Sequence, residues 1–197
     1  MTNRVLRVLA PLLFVVAVAA MFWLLLASHV ISAQTPAVKD NEELSRLCAA
    51  DQADRQLDPR QIDWTIVSVR DRARLARTKE LYSQNRLQTG TDFFNAALIL
   101  QHGDVPEDFL LAHELCVVAI MKGESQARWL AAASEDRFLM NIGRPQRFGT
   151  QYRSEPINAP MKLYAVDPTV TDELRRALNV PTLAQAKALE AELNKKQ

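Results

Sequence analysis

From Val8 to Ala27 no side chain carries a charge, and Arg4 and Arg7 sit just ahead of the run. This stretch constrains the chain more than any other. About 20 apolar residues are what an α-helix needs to cross a bilayer, whereas a secretory signal core is shorter, about 7 to 15 residues. The length favours an uncleaved anchor over residues 8–27. "ISA", ending at Ala33, also offers a small-residue cleavage site, so residues 1–33 read as a signal-anchor or a signal peptide, and 34–39 as a linker. A buried core helix fits poorly, because the run has no polar face. Positive residues stay on the cytoplasmic side. Either form therefore sends everything from about residue 34 outward, held at the cell envelope or released to the periplasm.

With that segment set aside, Arg4 and Arg7 leave the count and the formal charge passes from +1 to −1. Nucleic-acid binding needs a concentrated basic surface, so that class of partner is excluded. The expected partners are the membrane, through residues 8–27, and a ligand or protein that the sequence does not identify. The two cysteines, Cys48 and Cys116, could pair outside the cytoplasm. Each falls in a predicted helix, however, where a buried free thiol is common. They lack the spacing of a zinc site, and no metal or cofactor is expected.

Only 5 glycines occur in 197 residues, too few for the turns of an all-β chain, and the apolar spacing is helical. Asp40, with Glu43 three residues on, predicts a capped first helix carrying Leu44, Leu47 and Cys48 on one stripe. A second helix is expected over 63–85, its "RDRARLARTKE" centre mostly solvated. Thr91 is read as the cap of a third helix over 92–101, stopped by Gly103. Pro106 opens a fourth that is apolar nearly all round and therefore central. Gly123 separates it from a fifth, which ends at Gly143. "RFGTQY" and "MKLYAV" predict a small β-hairpin near residues 146–166, and Thr171 and Thr182 cap two last helices. The expected fold is mainly α: antiparallel helical hairpins in a bundle over 40–167, with that hairpin, and a C-terminal helical tail over 168–197 that docks weakly.

Chemistry concentrates in few places. "HELCV" lacks the second histidine of a zinc-protease helix, since Val117 stands where it belongs. His113 lies on the apolar stripe Phe109, His113, Cys116, Ile120 and reads as a satisfied core residue. His102 falls at a helix end, where an imidazole can cap carbonyls. Asp51, Arg55, Asp136 and Arg137 lie on helices of one bundle and must pair if buried. After the fifth helix, Gln146, Thr150 and Gln151 supply uncharged donors and acceptors, with Gly149 free to turn the backbone. Arg144, Arg147 and Arg153 add positive charge suited to an anion.

At these residues the sequence resembles an uncharacterised family of bacterial domains. "DQADR" (51–55), "LILQHGD" (98–104) and "DRFLMNIGRPQRFGTQY" (136–152) are similar to its DQxxR, QH-x-D and DR…GxxQx(Y/F)GTQ motifs, across about residues 43 to 153. A GWP stretch that members often carry after the first helix has no counterpart here. The resemblance implies an exported domain of unknown function and no mechanism. It implies further that Asp51, Arg55, Gln101, His102, Asp136, Arg137, Gln146, Gly149, Thr150 and Gln151 act together.

Three functions fit that set: a polar pocket for a small or peptidic ligand, a membrane-tethered helical scaffold for protein partners, and a hydrolase. The hydrolase would use His102 as general base, oriented by Asp104 or Asp136, with Arg137 stabilising negative charge. The sequence provides no nucleophile for it, so binding is the preferred expectation.

Overall fold

The computed structural model describes residues 38–58, 61–156 and 159–195. Seven helices and one two-stranded sheet lie among them: α1 Glu42–Ala53, α2 Trp64–Ser83, α3 Gly90–Leu100, α4 Pro106–Met121, α5 Ala127–Asn141, β1 Tyr152–Arg153, β2 Lys162–Leu163, α6 Asp172–Ala177 and α7 Leu183–Lys195. Among the described residues no helix is long and apolar enough to cross a membrane. The apolar run at 8–27, read as an anchor or signal, lies outside them.

Helices α1, α2, α3 and α6 begin where a side chain satisfies a free N–H group, though not always at the expected residue. Asn41 rather than Asp40 caps α1, its Oδ1 accepting from the Leu44 amide at 3.1 Å. Asp40 accepts instead from the Thr89 hydroxyl, and Glu43 pairs with Arg77. Thr89 rather than Thr91 caps α3, in a capping box with Asp92. Thr89 has the extended backbone a cap requires, whereas Thr91 lies inside the first turn. Asp92 is buried and also accepts from the Asn41 amide at 2.7 Å, so one carboxylate ties together the starts of α1 and α3.

The apolar core lies among α1, α3, α4 and α5, with Leu81 of α2 buried against them. Burial of α4 through Phe109, Ala112, Leu115, Cys116 and Ala119 makes it the central helix, as its all-round apolar character predicts. Cys48 and Cys116 are both buried and free, and burial pushes their thiol pKa values up to about 11 and about 12. His113, expected as a core residue, is half-buried, its Nδ1 within 2.9 Å of the Ala131 carbonyl.

The hairpin is shorter than the sequence predicts. As strands, Tyr152–Arg153 and Lys162–Leu163 pair antiparallel, with Tyr152 opposite Leu163, and Gln146 makes an isolated parallel bridge to Val166. Residues 147–150 are not strand, because a carboxylate of α5 takes their amides before a neighbouring strand can. The C-terminal helices are more than a weakly docked tail. The Tyr152 hydroxyl donates to the Ala186 carbonyl at 2.8 Å. The Leu163 amide donates to Glu190 at 2.7 Å, and Asn194 bonds both main-chain groups of Met161. Polar bonds of α7 to the otherwise open edge of β2 fix a helix whose apolar stripe is thin.

Candidate functional site

The expected solvation of the α2 centre fails on one face. Val67, Arg74, Thr78 and Leu81 are buried and Asp71 nearly so. Positions 67, 71, 74, 78 and 81 recur at helical spacing, so the charges continue a stripe that begins and ends apolar. They meet the end of α1. Arg55 donates to Asp51 Oδ1 at 3.0 Å and to Asp71 at 2.6 Å. Arg74 donates to Asp71 at 2.6 Å and to Asp54 at 2.8 Å, and Arg70 completes the set on Asp54. Three carboxylates, Asp51, Asp54 and Asp71, thus stand against three guanidiniums, Arg55, Arg70 and Arg74. Asp71 and Asp54 are held below the ordinary carboxylate range: the bonds and charges of their arginine partners outweigh a burial penalty that acts the other way. Asp51 is wholly buried, and for it desolvation wins, pushing its pKa up to about 6.

His102 follows α3 with its Nε2 at 3.5 Å from Asp51 Oδ2, too far for a firm hydrogen bond. Desolvation, then the neighbouring Arg55 and Arg137, depress its pKa to about 4. The two groups are therefore no ion pair at neutral pH; the imidazole is uncharged. Nor does His102 cap the end of α3 as expected. That work falls to Arg137, which reaches from α5 to donate through Nη1 to the Gln101 carbonyl. Arg137 also donates through Nε to Gln151 Oε1 at 3.2 Å, and its guanidinium lies 5.8 Å from the centroid of the Phe109 ring. No carboxylate among the described residues lies within ion-pairing range of it. Burial pulls its pKa below the ordinary guanidinium value, with no opposing charge to restore it.

Arg55, Gln101, His102 and Arg137 open onto one cleft of about 470 Å³, walled by Ile62, Trp64 and Phe109. Gly103 forms part of the rim, where a Cβ would sit 2.5 Å from the Cβ of Asp108. Only glycine lets the chain pass so close to the start of α4. Asp51 stands behind the cleft, holding Arg55 in place.

The other half of the candidate set is elsewhere. Asp136 is wholly buried and spends both oxygens on one loop. Oδ1 accepts from the amides of Arg147 at 2.7 Å and Phe148 at 2.9 Å, and Oδ2 from the Thr150 amide at 3.0 Å and hydroxyl at 2.8 Å. Gly149, at φ 83°, turns the backbone so that amides on both sides of it face the same carboxylate. Gln146, also wholly buried, accepts from the Gln151 amide and donates to the Gln151 and Tyr164 carbonyls, each within 2.9 Å. Gln151 donates to Ala133 of α5 and to Thr150.

A residue that the sequence reading passed over closes the far side. Arg175 of α6 is 1% exposed and donates to the carbonyls of Phe148, Val170 and Arg147. The loop is thus gripped by a carboxylate at its amides and by a guanidinium at its carbonyls. Nothing in the spacing of "DELRRAL" distinguishes Arg175 from Arg176 except the helical face that packs inward.

The ten residues therefore divide into a cleft group (Asp51, Arg55, Gln101, His102, Arg137) and a brace (Asp136, Gln146, Gly149, Thr150, Gln151). The bond from Arg137 to Gln151 joins them. The residues missed were Asp71, Arg74 and the apolar walls Ile62, Trp64 and Phe109. Arg147 and Arg153, expected to attract an anion, are engaged on the surface by Glu135, Asp167 and Glu155.

The groups that a hydrolase built on His102 would call on are engaged elsewhere or apart from it. Asp136 cannot orient His102, since the loop takes its oxygens, and Asp104 is exposed. The thiol of Cys116 is buried and unionised, and the Thr150 hydroxyl donates to Asp136, a carboxylate already engaged by three backbone amides. Among the described residues no three His, Cys, Asp or Glu side chains converge as a metal-binding group. No family model, curated protein or solved structure matches the chain.

Proposed function

We propose that this protein is a binding module whose cleft at Arg55, His102 and Arg137 takes a small anionic ligand. One observation carries the reading: Arg137 lines a cleft with its positive charge unmatched by any carboxylate among the described residues. A partly buried charge without a partner is costly, and a bound anion removes that cost. The motif over 146–151 then serves as the frame that holds Arg137 at the cleft wall. This is the division of labour we propose for the bacterial family that the motifs resemble. In the same proposal, residues 8–27 attach the chain to a membrane, or direct its export, with the cleft outside the cytoplasm. The scaffold alternative draws on Leu57, Trp64, Ile66 and Val69, all large, apolar and exposed.

Melting temperature in acetate against chloride at matched ionic strength tests the proposal, because a ligand that binds only the folded state raises stability by mass action. The wild type should gain more stability with acetate concentration than Arg137→Met does. Equal gains in both would overturn the proposal.

A further inference from the structure

The shape of the charge in the cleft narrows the class of ligand. Beyond Arg137, the cations there are balanced: Arg55, Arg70 and Arg74 are matched by Asp51, Asp54 and Asp71. His102 is uncharged at neutral pH, because burial and two neighbouring arginines oppose its protonation. Among the described residues the cleft thus offers one net positive charge, enough for a monoanion. A phosphate dianion would bring a second charge that nothing there neutralises.

The donors narrow it further. Arg137 has its Nε on Gln151 and one proton of Nη1 on the Gln101 carbonyl, and Nη2 has no protein acceptor among the described residues. The second proton of Nη1 and both protons of Nη2 remain, on two nitrogens whose side-by-side spacing fits the two oxygens of a carboxylate. The walls beside it are a branched aliphatic side chain and two aromatic rings, Ile62, Trp64 and Phe109. Water against such walls is released when an apolar group replaces it.

We infer that the cleft selects a monocarboxylate carried on an apolar or aromatic body, the carboxylate end-on to the Arg137 fork and the body against Ile62, Trp64 and Phe109. This rests on the anion-binding reading and goes further by excluding phosphoryl ligands and neutral amides of the same shape.

Calorimetric titration of the full chain with phenylacetate, phenylacetamide, acetate and inorganic phosphate tests it. Phenylacetate should bind saturably and the other three at least about tenfold more weakly, a gap of about 1.4 kcal/mol. Arg137→Lys, which keeps the charge and loses the fork, should weaken phenylacetate about tenfold. Phosphate binding as tightly as phenylacetate, and lost in Arg137→Lys, would overturn the carboxylate inference and leave the anion cleft standing. Acetate binding as tightly as phenylacetate would overturn the apolar half of the inference. Phenylacetamide binding as well as phenylacetate would overturn both inference and anion reading. Failure of phenylacetate to bind overturns the inference, and the phosphate titration then decides the broader reading.

Discussion

Replacing Asp136 by asparagine isolates what the brace contributes. The change keeps size and shape and removes the charge. Oδ1 still accepts from the Arg147 and Phe148 amides, but as a neutral acceptor, and hydrogen bonds to charged groups are worth about 1.5–3 kcal/mol against about 1 for neutral ones. The other oxygen becomes an amino group. The Thr150 hydroxyl can rotate to accept from it, whereas the Thr150 amide, now facing a donor, is left unsatisfied at a cost of about 1–3 kcal/mol. Together these give a loss of about 2–7 kcal/mol, a large part of a typical domain's stability of about 5–15 kcal/mol. Urea unfolding of the full chain, followed by far-ultraviolet circular dichroism, would show a lower midpoint at unchanged slope. His102→Ala supplies the contrast. Its Nε2 has no hydrogen-bond partner, so truncation should cost no more than about 1 kcal/mol of lost packing. Equal costs for the two variants, or a loss below about 1 kcal/mol for Asp136→Asn, would refute the division into frame and cleft.

Three further outcomes follow from the same geometry. Arg175→Met and Arg175→Lys should both lose about 2–4 kcal/mol in the same unfolding assay, because a lysine cannot reach three carbonyls at once. The folded pKa of His102 lies below its unfolded value, so its contribution to stability is full above about pH 6.5 and lost as pH falls toward about 4. Asp51 is opposite in sign: raised to about 6, it contributes fully below about pH 3.8, and that contribution is lost as pH rises through about 6. The two offset each other in the wild type. His102→Gln should therefore gain about 2 kcal/mol relative to wild type between about pH 7.5 and pH 5, and a constant difference across that window would contradict the assignment. Gln151→Leu should weaken anion binding by releasing Arg137, while glutamate at the same position, which would pair with the arginine, should abolish it.

Much of the fold was legible because it follows from local chemistry: proline at the start of α4, glycine beyond α4 and α5, and an α4 apolar on all sides. Two caps were misplaced by one or two residues, since Asp40 and Thr91 are as able to cap as Asn41 and Thr89. The choice goes with tertiary bonds: Asp92 takes the Asn41 amide and Asp40 takes the Thr89 hydroxyl. The hairpin was overdrawn for a related reason: a buried carboxylate eleven residues before Arg147 claims the amides that a strand would use. At the site, the motif residues could be grouped from sequence, but the separation of frame from cleft could not. It depends on which oxygen meets which amide. Asp71 and Arg74 were hidden in a helix whose arginines look alike in one dimension, although their stripe with Val67 and Leu81 marks them.

The most direct test of the account is nuclear magnetic resonance of the guanidinium groups in nitrogen-labelled full chain during titration with phenylacetate. The account predicts that the Arg137 Nε and Nη signals shift and saturate together while Arg175, in the frame, stays still. Shifts confined to surface arginines such as Arg144 or Arg147, with Arg137 unmoved, would contradict it.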